Sequence, residues 1–124
     1  MYSYSQSSTV FAQDGVALPC VCYAGRGDGL NNSAMQNVVG EGPLPQGMYT
    51  MTEILDSPHT GLATIILVPD DDNEMFGRSL FRIHPDTAAR NHSASDGCIV
   101  MEPMSMRQRI GANLATDNRL MVTA

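Results

Sequence analysis

Two residues of this chain have the types and flanks that nucleophilic acyl transfer requires. His84 ends the apolar run Phe81-Arg82-Ile83-His84, and Cys98 lies downstream in Ser95-Asp96-Gly97-Cys98-Ile99-Val100-Met101. Cysteine chemistry needs a thiol that can lose its proton, a base that takes it, and donors for the oxyanion that follows. Gly97 can adopt backbone geometry closed to other residues and so present the next side chain on a turn. Asp96 beside Cys98 disfavours a thiolate, whereas Arg82 or Arg90 nearby favours one. His92 is a second imidazole, but it stands in a polar loop among Arg90, Asn91 and Ser93.

The elements that must position these residues read as strands. Arg82-Ile83-His84 has the composition of a strand end, and Cys98 opens the apolar segment of the next strand. Thr9–Ala12, the Asp14-Gly15 turn and Val16–Tyr23 read as a hairpin. Gly25–Ser33 is a loop, followed by the rigid corner Gly42-Pro43-Leu44-Pro45-Gln46-Gly47. Met48–Thr52 alternates as a strand, and Ala63–Val68 is a buried one. The acidic loop Asp70–Glu74 follows, lacking the spacing and central glycine of a calcium loop. Ser105 is placed to cap a helix over Met106–Ala115, and Leu120–Val122 forms a last strand. The chain of 124 residues is expected to be one mainly β domain spanning 1–124, with one or two short helices.

Composition removes several classes of function. A formal net charge of −6 argues against a nucleic-acid backbone or an anionic membrane surface as partner. No apolar stretch is long enough for a membrane span. The N-terminus lacks the basic flank and apolar core of a signal peptide, so synthesis as a cytoplasmic chain is expected. Three cysteines cannot all pair within one chain. Cys20 and Cys22 read as small core residues, and on one strand their spacing does not favour a bridge.

The order of blocks resembles a known family. Tyr23-Ala24-Gly25 through Asn31-Asn32, the Gly42–Tyr49 corner, Gly77–His84 and Ser95–Met101 together resemble the compact L,D-transpeptidase-like proteins. The closest branch is the leaderless type VI secretion effectors that attack peptidoglycan. The resemblance implies an L,D-transpeptidase-like β-sandwich or barrel and a cysteine acyl-enzyme that needs no metal or cofactor. It implies Cys98 as nucleophile, His84 as base, Gly97 and Cys98 as backbone donors to the oxyanion, and Ser95 as the residue shaping their turn. Asp96, Arg82 and Arg90 are possible supports. The wider family has histidine where this chain has Asp96, and arginine where it has Val100. The implied substrate is the peptide stem of peptidoglycan, trimmed or exchanged at its terminal D-residue. The implied setting is the periplasm of a target bacterium, with a cognate immunity protein and a secretion-system carrier as partners.

Other readings are weaker. His84, His92 and Cys98 are acceptable zinc ligands but match no closed zinc spacing. A β-rich binding or structural module without activity would keep the fold but have no need of Cys98 and His84. A phage-encoded cell-wall enzyme would share most of these features. His59, beside Pro58, reads as a surface turn residue.

Overall fold

Pairing of strands distant in sequence builds this fold, as shown by a computed structural model that describes residues 1–87 and 94–124. Its strands are β1 (Tyr2–Ser5), β2 (Phe11–Gln13), β3 (Val16–Ala17), β4 (Val21–Ala24), β5 (Gly47–Ser57), β6 (Gly61–Pro69), β7 (Arg82–His84), β8 (Ile99–Glu102) and β9 (Arg119–Thr123). They join in one mixed sheet in the order β3-β2-β1-β9-β5-β6-β7-β8-β4. Among the described residues there is one α-helix, α1 (Met104–Ala112), which packs against β6, β8 and β5. The mainly β expectation with a short helix is borne out.

Hydrophobic alternation explains most of these elements. Tyr2 and Tyr4 of β1 are buried and alternate with half-buried serines, the period-2 pattern of a strand with one core face. β1 lies parallel to β9, with Tyr4 beside Val122. Tyr49, Met51, Ile65, Ile83, Ile99, Met101 and Leu120 fill the core, each at most 1% exposed. Burial of each such side chain is worth roughly 1.5–3 kcal/mol.

The structure corrects the single strand expected over Val16–Tyr23. Pro19 lacks an amide hydrogen and cannot continue a ladder, and the segment divides into β3 and β4. These two pieces lie at opposite edges of the sheet. Cys20 therefore precedes β4 rather than lying within it, and its sulfur comes within 3.8 Å of that of Cys22. The long β5–β6 hairpin also extends past the expected strands, because Glu53 and Asp56 project from its exposed portion. Helix α1 starts from Pro103 rather than from Ser105.

Arg107 of α1 ties the helix to the sheet. It is 1% exposed, and its guanidinium donates to the carbonyls of Ala63 (3.0 Å), Leu62 (3.1 Å) and Met101. The Glu102 carboxylate lies 3.5 Å away. Ala63 sits at φ +54, and its amide donates to Asp56. Its carbonyl is therefore turned out of the ladder toward the helix. Replacing Arg107 by Met keeps the volume but strands these carbonyls. Arg107→Met is expected to lower unfolding stability by about 3 kcal/mol in urea titration; a loss under about 1 kcal/mol would contradict this role.

Candidate active site

The β7–β8 pair decides where His84 and Cys98 meet. The two strands run parallel, with Ile83 beside Ile99 and His84 beside Val100. Stepping back one pair places Cys98 alongside Arg82. Side chains alternate along each strand, so the fully buried Ile83 and Ile99 face the core. Arg82, His84, Cys98 and Val100 share the opposite face. Strand spacings put the Cα atoms of His84 and Cys98 roughly 8 Å apart, within reach of an imidazole and a thiol directed to one space. Both residues line a cleft of about 500 Å³, with the β5–β6 tip (Pro58 to Gly61) on one side and Pro85, Asp86 and Thr87 on another.

The histidine is fixed in one tautomer. Its Nδ1 lies 2.8 Å from the carbonyl oxygen of Pro85. A carbonyl only accepts, so Nδ1 carries the hydrogen and Nε2 is the basic nitrogen. Burial pushes the pKa of His84 down, and the charges of Arg107 and Arg82 act the same way. Burial pushes the Cys98 thiol up, opposed by the Arg82 backbone amide directed at the sulfur and by the Arg82 charge. The thiol donates to the Leu80 carbonyl at 3.7 Å. At neutral pH the pair therefore rests as neutral thiol and neutral imidazole.

The turn that presents Cys98 is built around Ser95. This fully buried hydroxyl donates to the Cys98 carbonyl at 2.6 Å and accepts the amides of Gly97 and Gly25, each at 3.0 Å. The Gly97 amide, expected to serve an oxyanion, is thus engaged within the turn. Gly97 sits at φ +134, and a Cβ there would collide with Arg78 Nη2 and lie 2.9 Å from the Phe81 ring. Only glycine fits.

Arg78 packs against that glycine, a role not assigned to it in advance. Its Nη1 donates to the carbonyls of Gln36 (2.6 Å) and Pro43 (2.8 Å), and its Nη2 to Gly42 (2.9 Å) and Asp96 (3.0 Å). Its guanidinium stacks 5.2 Å from the centre of the Phe81 ring. The sequence carries one signal for it. The corner Gly42-Pro43-Leu44-Pro45 has carbonyls but few amides, so it needs donors from elsewhere.

The remaining residues close the frame. Tyr23 donates to Asp86 at 2.7 Å and accepts the Ala94 amide at 3.1 Å. Burial and the Asp86 contact push the phenol up to about 12, which keeps it a donor. The Asp86 amide donates to Glu102 at 3.0 Å. Gly61, at φ +109, lets the hairpin tip approach Pro85, whose Cγ would lie 2.6 Å from a Cβ. His59 occupies the expected exposed turn and also lines the cleft. A second cleft of about 300 Å³ is lined by Val39, Gly40, Gly77, Arg78, Ser79, Phe81 and Asp96. Arg90 and His92 lie outside the described residues.

Residues 20–124 match the family model of the Tlde1 domain. The chain belongs to the Tlde1-domain family. This domain places the protein among type VI secretion effectors. No curated protein matches the chain. The Tlde1 match contains Cys98, His84, Arg78 and both clefts, while β1, β2 and β3 precede it. Among the described residues no helix is long and apolar enough to cross a membrane.

The electrostatics of His84 have a measurable consequence. Its folded pKa lies below the ordinary 6.5, so the folded state binds fewer protons than the unfolded chain just below that pH. The stability this contributes is present above pH 6.5 and is lost as pH falls toward the folded pKa. A ring titration by NMR is expected to place the His84 midpoint below 6.5, and His84→Gln should flatten this part of the stability profile. A midpoint at or above 6.5 would contradict the burial argument.

Proposed function

We propose that this Tlde1-domain protein is a cysteine enzyme of peptidoglycan stem peptides, with residues 1–124 acting as one catalytic domain. It removes the terminal D-residue as an L,D-carboxypeptidase or exchanges it as an L,D-transpeptidase. The observation that carries this reading is the shared cleft: Cys98 and His84 face one space from adjacent parallel strands, and the histidine tautomer is fixed.

The chemistry follows from that arrangement. As the Cys98 sulfur attacks the carbonyl carbon before the terminal D-residue, its proton passes to His84 Nε2. The carbonyl electron pair moves onto oxygen, giving a tetrahedral oxyanion. The Cys98 backbone amide is the nearest candidate donor, and the Arg78 guanidinium adds positive charge close to the turn. Collapse breaks the C–N bond, the proton on Nε2 goes to the leaving amine, and a thioester remains on Cys98. Water then yields the shortened acid; an incoming amine instead yields an exchanged or cross-linked product. Either route returns the proton to the sulfur. Ser95 and Gly97 hold the turn, Arg82 directs its amide to the sulfur, and Asp96 marks the cleft edge.

An effector of this kind acts in the periplasm of a target bacterium. It arrives on a secretion-system carrier, and a cognate immunity protein that covers the cleft would protect the producer.

Purified protein mixed with a tetrapeptide stem is expected to release the terminal D-alanine, or to exchange it for an added D-amino acid, as followed by mass spectrometry. Cys98→Ala should lower the rate about a thousandfold or more, and His84→Gln about a hundredfold or more. Unchanged turnover in folded Cys98→Ala protein would overturn the proposal, as would the absence of product with any stem.

A further inference from the structure

Strands β3 and β4 follow one another in the chain yet lie at opposite edges of the sheet. Laid flat, the sheet would hold those edges roughly 38 Å apart at ordinary strand spacing. The link through residues 18–20 reaches only roughly 14 Å from Ala17 to Val21, even fully extended. The sheet must therefore roll until its edges approach each other at this crossover. The crossover also bends sharply. The Cys20 amide donates to the Leu18 carbonyl at 2.9 Å, a three-residue turn centred on Pro19. Residues two apart on a regular strand are separated by roughly 6.6 Å. The bend instead brings the sulfurs of Cys20 and Cys22 to 3.8 Å. Both are thiols; Cys20 is partly exposed, and Cys22 is buried in the core.

We propose that Cys20 and Cys22 are a redox site, which a small-molecule disulfide oxidises to a reversible bridge that pins the crossover to β4. This site is independent of the stem-peptide reading. The partly exposed Cys20 thiolate attacks one sulfur of the reagent, forming a mixed disulfide and expelling a thiolate. The Cys22 sulfur then attacks that of Cys20 and expels the second thiolate. The two expelled thiolates take up the two protons that the cysteines lost. The protein pair is thus oxidised by two electrons, and the reagent is reduced to two thiols. The sulfurs close from 3.8 Å to about 2.05 Å. Cys20 precedes β4, so its movement breaks no pair of the β4–β8 ladder. The order of attack follows from the surroundings. A hydrogen bond from Cys22 pushes the Cys20 thiol down, while the same contact and burial push Cys22 up. Burial pushes Cys98 up as well, so the pair meets an oxidant before the candidate nucleophile does. Disulfides form outside the reducing cytoplasm, so an effector made in the thiol form acquires its bridge on secretion. The edge strand β4 carries the effect onward. At its other end Ala24 pairs with Ile99, and the next amide, of Gly25, donates to the Ser95 hydroxyl in the Cys98 turn.

The test treats the full chain and its Cys98→Ala variant with oxidised glutathione, quenches in acid and reads intact and peptide masses. In both proteins the peptide spanning residues 20–22 is expected to lose the mass of two hydrogens and to regain it with dithiothreitol. Cys20→Ser, a change at a partly exposed position, should abolish that loss in folded protein. Hydrogen exchange of the β4 amides is expected to be severalfold slower in the bridged form than in the thiol form. Thiols left unchanged at both positions, glutathione retained on either cysteine, or a bridge that includes Cys98 would overturn the site. Equal exchange of the β4 amides in the two forms would overturn the pinning role.

Discussion

The buried guanidinium of Arg78 is the interaction on which the site depends. Among the described residues no carboxylate pairs with it, and it is held by the carbonyls of Gln36, Gly42, Pro43 and Asp96. A buried charge satisfied by neutral dipoles stays cationic and cannot be removed cheaply. It fastens the proline corner to the turn that carries Cys98, two segments with no strand pairing between them. It also explains why the turn must have Gly97, since a Cβ there would meet the guanidinium itself. Its positive field reaches the thiol, in the direction that favours a developing negative charge.

From that anchor the chemistry becomes a matter of two opposed burial effects. Taking a thiol out of water raises its pKa, and taking an imidazole out of water lowers its own. Both groups are left neutral, and neither is spent in a resting ion pair. The Pro85 carbonyl then does for His84 what a carboxylate does in a serine triad: it fixes which nitrogen is basic. Because that carbonyl is uncharged, it fixes the tautomer without raising the histidine as strongly as a carboxylate would. The parallel register of β7 and β8 completes the arrangement by putting both side chains on one face.

The parts legible in the sequence were those with local causes. The β2–β3 hairpin follows from Asp14-Gly15, both at positive φ. The strand ending at His84 and the turn before β8 follow from apolar runs and one glycine. What escaped was set by distant partners. Pro19 announces a break, but nothing nearby says that β3 and β4 go to opposite edges of the sheet. The alternation Tyr2-Ser3-Tyr4-Ser5 was strand-like, yet its partner β9 is at the far end of the chain. Polar residues in β5 concealed the hairpin that walls the cleft. Arg78, Tyr23 and Asp86 gained their roles only from groups remote in sequence. Arg90 and His92, the remaining residues weighed from the sequence, fall outside the described residues.

The most direct test of the central claim is the intact mass of the protein, quenched in acid within the first turnovers on a tetrapeptide stem. The account predicts an adduct equal to the stem without its terminal D-residue and without water, held as a thioester on Cys98 and released by hydroxylamine. An adduct at another residue, or product formation with no adduct in a burst-phase experiment and no dependence on Cys98, would contradict it.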